Sequence, residues 1–174
     1  MSNHDLSNVD FSTMPSCGDF DFRIARDGTW FYRGSPIGRK PLVRLFSTVL
    51  RRENDGSFWL VTPAERGRIT VDDAPFVAVE MEVTGEGAEQ RLAFRTNVED
   101  WVTADAEHPL RVEQRAGGEP SPYIRVRGAL DALISRPVFY QLVELAESRV
   151  GTGGEELGVW SGGTYFPLGL TEAA

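Results

Sequence analysis

The chain has 174 residues, enough for one ordinary domain or two small ones. Apolar residues make up 41%, so a core can form and wholesale disorder is excluded. The formal charge of −8 argues against nonspecific binding to nucleic acid or an anionic membrane.

No apolar run approaches the roughly 20 residues that cross a bilayer. Met1 to Phe11 is polar and acidic, unlike a secretory signal, so the cytoplasm is the expected compartment. The single cysteine, Cys17, forms no internal disulfide and no cysteine-based zinc site. Charge is unevenly spread. Arg23 to Arg52 holds eight cations and one anion, Asp27, which leaves ten cations and twenty-five anions elsewhere. This basic segment reads either as a surface docked on the chain's acidic remainder or as an anion site.

In chain order, residues 1–17 read as a flexible polar leader. Phe20, Phe22 and Ile24 alternate with polar neighbours, Asp27-Gly28 turns the chain, and Trp30 and Tyr32 return, which predicts a β-hairpin. A helix is predicted from Arg39 to Glu53, with Leu42, Leu45, Phe46, Val49 and Leu50 as its apolar stripe and Pro41 in its first turn. Arg51 and Arg52 would then face the negative end of the helix dipole. Two short strands follow, Phe58–Thr62 and Arg68–Val71. Phe76–Val83 is a strand with Val77, Val79, Met81 and Val83 on one face, and Arg91–Thr96 returns with Leu92 and Phe94 inward. Short strands are expected near Trp101, at 110–112 and at 123–126, with a loop from Ala116 to Pro122. A second helix is predicted from Pro137 to Val150, and a hairpin around Gly162-Gly163 closes the chain.

The two helical regions share an order: Arg-Gly, a basic residue before proline, helix, turn, and a tryptophan-bearing hairpin. The pairs Lys40-Pro41 and Arg136-Pro137, and Trp59 and Trp160, occupy matching places. This order predicts a structural duplication. The expected architecture is α+β, in two domains built from strand/hairpin–helix–hairpin units, 18–71 and 72–174, with a ligand cleft between them.

Catalytic signatures are missing. His4 and His108 are far apart and no cysteine cluster accompanies them, so no metal-ligand spacing exists. No nucleophile elbow or phosphate-binding loop occurs. Gly85-Glu86-Gly87 lacks both the third glycine and a following helix, so it reads as a turn. Neighbouring acids such as Asp72-Asp73 point to opposite faces of an extended chain and make poor catalytic pairs.

Several stretches in order resemble one bacterial family, domain of unknown function family 1285. Among them are Trp30 to Ile37, Leu60 to Arg66, Val71 to Phe76, Arg95 to Val98, Glu107 to Leu110, Arg136 to Tyr140 and Leu157 to Ser161. The resemblance implies a two-domain duplication, a C-terminal domain loosely like a pleckstrin-homology fold, and a site at the domain interface. It further implies a nucleotide-type ligand and a signalling role. It brings no catalytic residues and no cofactor.

The leading expectation is a regulatory protein that binds a small anionic, nucleotide-like ligand. Arg66, Arg127 and Arg136 are the candidates for phosphate. Asp72, Asp73, Asn97 and His108 would read polar edges, and Tyr140 or Trp160 would stack. The alternatives are a protein-interaction module, to which the charge asymmetry would steer a partner, and an enzyme using carboxylates and His108.

Overall fold

The computed structural model describes residues 16–114, 117–151 and 153–170. The chain is strand-rich α+β, with fifteen strands and two α-helices among the described residues.

The first six strands form one sheet. β1 (Ser16–Ile24) pairs antiparallel with β2 (Trp30–Tyr32), and β2 with β3 (Ser35–Pro36). The predicted hairpin turn is made by Asp27, which accepts the Thr29 N–H at 2.9 Å, and by Gly28 at φ +90°. After α1 (Lys40–Thr48) come β4 (Leu50–Arg52), β5 (Phe58–Val61) and β6 (Arg66–Val71), each antiparallel to the next. β6 returns parallel to β1, giving the order β3-β2-β1-β6-β5-β4.

A second sheet follows, in the order β10-β11-β12-β7-β8-β9. Its strands are β7 (Phe76–Thr84), β8 (Arg91–Thr96), β9 (Trp101–Thr103), β10 (Leu110–Gln114), β11 (Pro120–Arg127) and β12 (Leu130–Ile134). β12 lies parallel to β7. α2 (Arg136–Glu144) leads to a three-stranded sheet of β13 (Glu147–Gly151), β14 (Gly154–Ser161) and β15 (Thr164–Leu170).

Both helices are shorter than predicted, for one reason. The residues expected in their last turns are strands. Leu50, which looked like the end of the first stripe, pairs with Leu60 and is buried in the sheet. Arg51 and Arg52 therefore belong to β4 and not to a helix end, and Asn54-Asp55-Gly56 turns a hairpin instead of stopping a helix. Leu45 is 62% exposed, so the stripe is narrower than the spacing implied. In the second half, 147–150 pairs with β14.

Ser16 and Cys17, placed in the leader, open β1, while residues 1–15 lie outside the described residues. The face predicted for β7 is broken by a register shift between Ala78 and Glu80. Phe76, Val77 and Ala78 are buried and Val79 is exposed; beyond the shift Met81 and Val83 pair with the buried Phe94 and Leu92, so the extra residue puts them on the side of Phe76 and Ala78 and not on that of Val77. β11 begins at Pro120, inside the predicted loop.

One apolar cluster runs through the molecule. It takes Ile24, Trp30, Leu50, Leu60 and Ile69 from the first sheet, and Phe76, Phe94, Ile124, Leu142 and Val159 from the rest. The last sheet is tied on by the buried Ser161, whose hydroxyl accepts the Leu92 N–H at 2.9 Å and donates to the Ala104 carbonyl at 2.7 Å. No helix of the described residues is long and apolar enough to cross a membrane.

Candidate functional site

Where the first sheet meets the second, strand β4 and the β11–β12 turn face one another across a depression of about 320 Å³. Arg51 and Arg52 line it from β4, Arg127 from the end of β11, and Gly128 and Ala129 supply turn backbone. Arg51 and Arg52 both belong to β4, which the chain enters two residues after α1 ends at Thr48; as strand neighbours their side chains leave opposite faces, and the Arg52 guanidinium lies 5.2 Å from the Phe58 ring centre.

Arg127 is the best-defined group. Its Nη2 donates to the Ser47 carbonyl at 2.5 Å, across the two halves, and its guanidinium lies 5.5 Å from the Phe76 ring centre. Burial pushes its pKa down; Asp100 pulls it up, and the charge of Arg51 pushes it down further. A partly desolvated cation beside a second cation is an electrostatic arrangement that an anion relieves.

Two further depressions adjoin the first. Arg127 is shared with one of about 350 Å³ that holds His108, Asp105, Asp100 and Trp101. There His108 Nδ1 lies 2.9 Å from Asp105 Oδ1. Burial works to raise the Asp105 pKa, but hydrogen bonds from the His108 ring and from the backbone N–H groups of His108 and Glu107 outweigh it and hold the carboxyl low. Arg52 is shared with the other, of about 160 Å³, lined by Asp73, Tyr123, Arg111 and Asp131. Tyr123 donates to Asp73 Oδ1 at 2.6 Å, and the buried Asp131 accepts from Arg111 and Arg125, both at 2.6 Å. Arg127 joins the first depression to the second, whose lining comes from the second half alone, and Arg52 joins the first to the third.

Of the residues singled out in the sequence, Arg127, His108 and Asp73 line these depressions. The other six line none of the three. Asp72 forms a two-point pair with Arg23, at 2.5 Å and 3.0 Å. Asn97 is a structural clip: its Oδ1 accepts the Val77 N–H at 3.0 Å, and its Nδ2 faces the Gly28 carbonyl at 3.4 Å. The Arg66 guanidinium lies 4.5 Å from the Trp59 ring centre and 3.5 Å from Glu53. Arg136 pairs with Glu119 at 3.6 Å on the surface, and Tyr140, also on α2, is 59% exposed. Trp160 packs edge-on against Tyr165 at 5.5 Å.

Sequence reasoning missed Arg51 and Arg52. The available signal was Leu50-Arg51-Arg52, a short turn and Phe58-Trp59-Leu60, which reads as a hairpin once the helix stripe is not extended over it. No group of three or more histidine, cysteine or acidic side chains suited to a metal ion occurs among the described residues.

The fold is thus a strand-rich α+β chain with an arginine-lined seam between its two halves. The chain belongs to the DUF1285 family: the family's N-terminal domain of unknown function matches residues 9–74 and its C-terminal domain matches residues 75–168. It is similar to a DUF1285 family protein of Silicibacter pomeroyi DSS-3, with 52% identity over 91% of this chain and 85% of that one, and a TM-score of 0.86. A DUF1285 family protein of Shewanella baltica OS155 shares the fold, at 24% identity over 71% of this chain and 91% of that one, with a TM-score of 0.56. No curated protein matches the chain.

Proposed function

We propose that this protein binds a small anionic ligand of nucleotide type in the seam between its halves, as a regulatory or signal-transducing protein of the cytoplasm. The observation that carries this reading is that Arg51, Arg52 and Arg127 all line one depression. Guanidinium groups offer forked donors that match phosphate. The adjoining depressions supply His108 on one side and Tyr123 with Asp73 on the other, groups suited to the edges of a base or sugar. The reading is one of binding without turnover, since the sequence carries no catalytic motif.

Duplication belongs to the same reading. Three antiparallel strands, a nine-residue helix opened by a basic residue and proline, and three more antiparallel strands occur twice, as β1 to β6 and β10 to β15. In the first unit the first and last strands pair; in the second, β10 and β15 lie side by side. On this view β7 to β9 are an insertion between the repeats. The pleckstrin-like comparison rests on the six-stranded second sheet followed by α2, whose Val138 and Leu142 are buried.

Thermal shift against nucleotides, cyclic nucleotides and simple anions tests the proposal, followed by titration calorimetry on any ligand found. Ligand at about 100 times its dissociation constant adds roughly 2.7 kcal/mol of stability. Arg127→Gln should weaken that ligand by about 1.5–3 kcal/mol, the worth of a charged hydrogen bond. Unchanged affinity in Arg127→Gln and Arg52→Gln, or no shift with any anion, would overturn it.

A further inference from the structure

Strand β13 is an open edge. It pairs with β14 alone among the described residues, and Glu147, Ser148, Arg149 and Val150 are all exposed, Val150 at 84%. Edge strands usually carry a proline, a bulge, charged side chains or a covering element that blocks further pairing, and of these β13 carries the charges of Glu147 and Arg149, which are opposite in sign. β13 has no proline and keeps regular register with β14 over all five of its pairs.

The direction of its backbone groups follows from the turn. Two residues separate Gly151 from its partner Gly154, so in the alternation of an antiparallel ladder Gly151, Arg149 and Glu147 turn their N–H and C=O toward β14. Ser148 and Val150 turn theirs outward. The Tyr165 hydroxyl reaching the Glu147 carbonyl at 3.2 Å, on the β14 side, agrees with this.

The side chains are self-complementary about Ser148. In an antiparallel pair centred there, Ser148 meets Ser148 of the other copy and Glu147 faces Arg149. The ion pair occurs twice by symmetry. Centring on Arg149 would set two guanidinium groups against each other. Arg149 already lies 4.0 Å over the Tyr165 ring and 3.6 Å from Glu156, yet it stays half-exposed, and a guanidinium has five N–H donors to share.

We infer that β13 docks on β13 of a second copy of this chain, through a two-fold axis at Ser148, and joins two three-stranded sheets into one of six strands. Two five-residue strands bury less than the roughly 1,200–2,000 Å² of a standard stable interface, so the dimer is weak and forms at high concentration.

The test is sedimentation equilibrium of the full chain at rising concentration, to about 1 mM, the range where weak pairs populate. The wild type should associate to a dimer. Glu147→Arg and Arg149→Glu, each placing like charges opposite one another, should raise the dimer dissociation constant at least about tenfold. The double variant Glu147→Arg/Arg149→Glu should restore it. Amide exchange at Ser148 and Val150 should slow as the dimer fills. A wild type that stays monomeric throughout overturns the inference. So does association indifferent to both single swaps, or a folded double variant that fails to recover. Glu147→Arg serves if Arg149→Glu disturbs the Tyr165 contact.

Discussion

Gly67 shows how one missing side chain sets a packing layer. A Cβ there would lie 2.2–2.4 Å from three atoms of the Phe20 ring, so the ring lies directly on the β6 backbone. Gly67→Ala must push the ring off the sheet, and overpacking of this kind costs about 1–3 kcal/mol. Urea denaturation should show that loss. Phe20→Ala added to Gly67→Ala should recover part of it, because the clash then has no partner. Asp72 carries a pH effect of known sign. The side-chain hydrogen bond from Arg23 is the first cause holding its pKa below the ordinary carboxyl value, with burial opposing and the Arg23 charge assisting. A depressed carboxyl contributes stability that is present above its unfolded pKa and disappears as pH falls through the folded value. Asp72→Asn should therefore be less stable than wild type near neutral pH. The gap in denaturation midpoints should close on acidification below about pH 4, the unfolded aspartate range. A gap that widens toward acid would contradict the pairing.

At the scale of elements, the last sheet joins the second through the shared apolar cluster and a short list of polar ties, among which Ser161 is central. Its fully buried hydroxyl satisfies the Leu92 N–H and the Ala104 carbonyl together, while Gln90 Nε2 donates to the Trp160 carbonyl at 3.0 Å nearby. Ser161→Ala leaves two buried backbone groups without that partner, at a cost of about 1–3 kcal/mol, and thermal denaturation should record it. Faster amide exchange confined to β14 and β15 would locate the loss. The same scale shows what the sequence made legible. The hairpins around Asp27-Gly28 and Gly162-Gly163 were readable because a turn demands those residues. Both helix starts were readable from proline after a basic residue, and Leu92 and Phe94 from strand alternation. Both helix ends were not, because helical spacing and a short following strand look alike when apolar residues continue without a gap. That ambiguity hid the candidate site, since Arg51 and Arg52 sit on the strand mistaken for helix. Arg136 and Tyr140 lie on α2, which lines none of the three depressions.

For the whole molecule, the boundary drawn near residues 71–75 divides two sheets and does not divide the core. Ile24, Trp30 and Leu60 belong to the same apolar cluster as Phe76, Phe94 and Leu142. Across the boundary, Arg127 bonds the Ser47 carbonyl, Asn97 reaches Gly28, and Arg26 lies 3.4 Å from the Ser121 hydroxyl and 3.6 Å from Asp73. Removing either half would expose the face the other covers, so neither half can open without losing burial in its partner. The halves should therefore unfold together. The four tryptophans allow this to be measured, since Trp30 and Trp59 lie before the boundary and Trp101 and Trp160 after it. In Trp101→Phe/Trp160→Phe, fluorescence reports the first half alone; in Trp30→Phe/Trp59→Phe it reports the second. Within each variant the fluorescence midpoint in urea should coincide with the far-ultraviolet circular dichroism midpoint. Trp30 is buried in the core, so the second variant should be less stable overall, yet its two midpoints should still agree. A first half that melts ahead of the circular dichroism change would mean that the seam is a hinge between independent bodies. A ligand held there would then act by closing them, and would not find its arginines already in place.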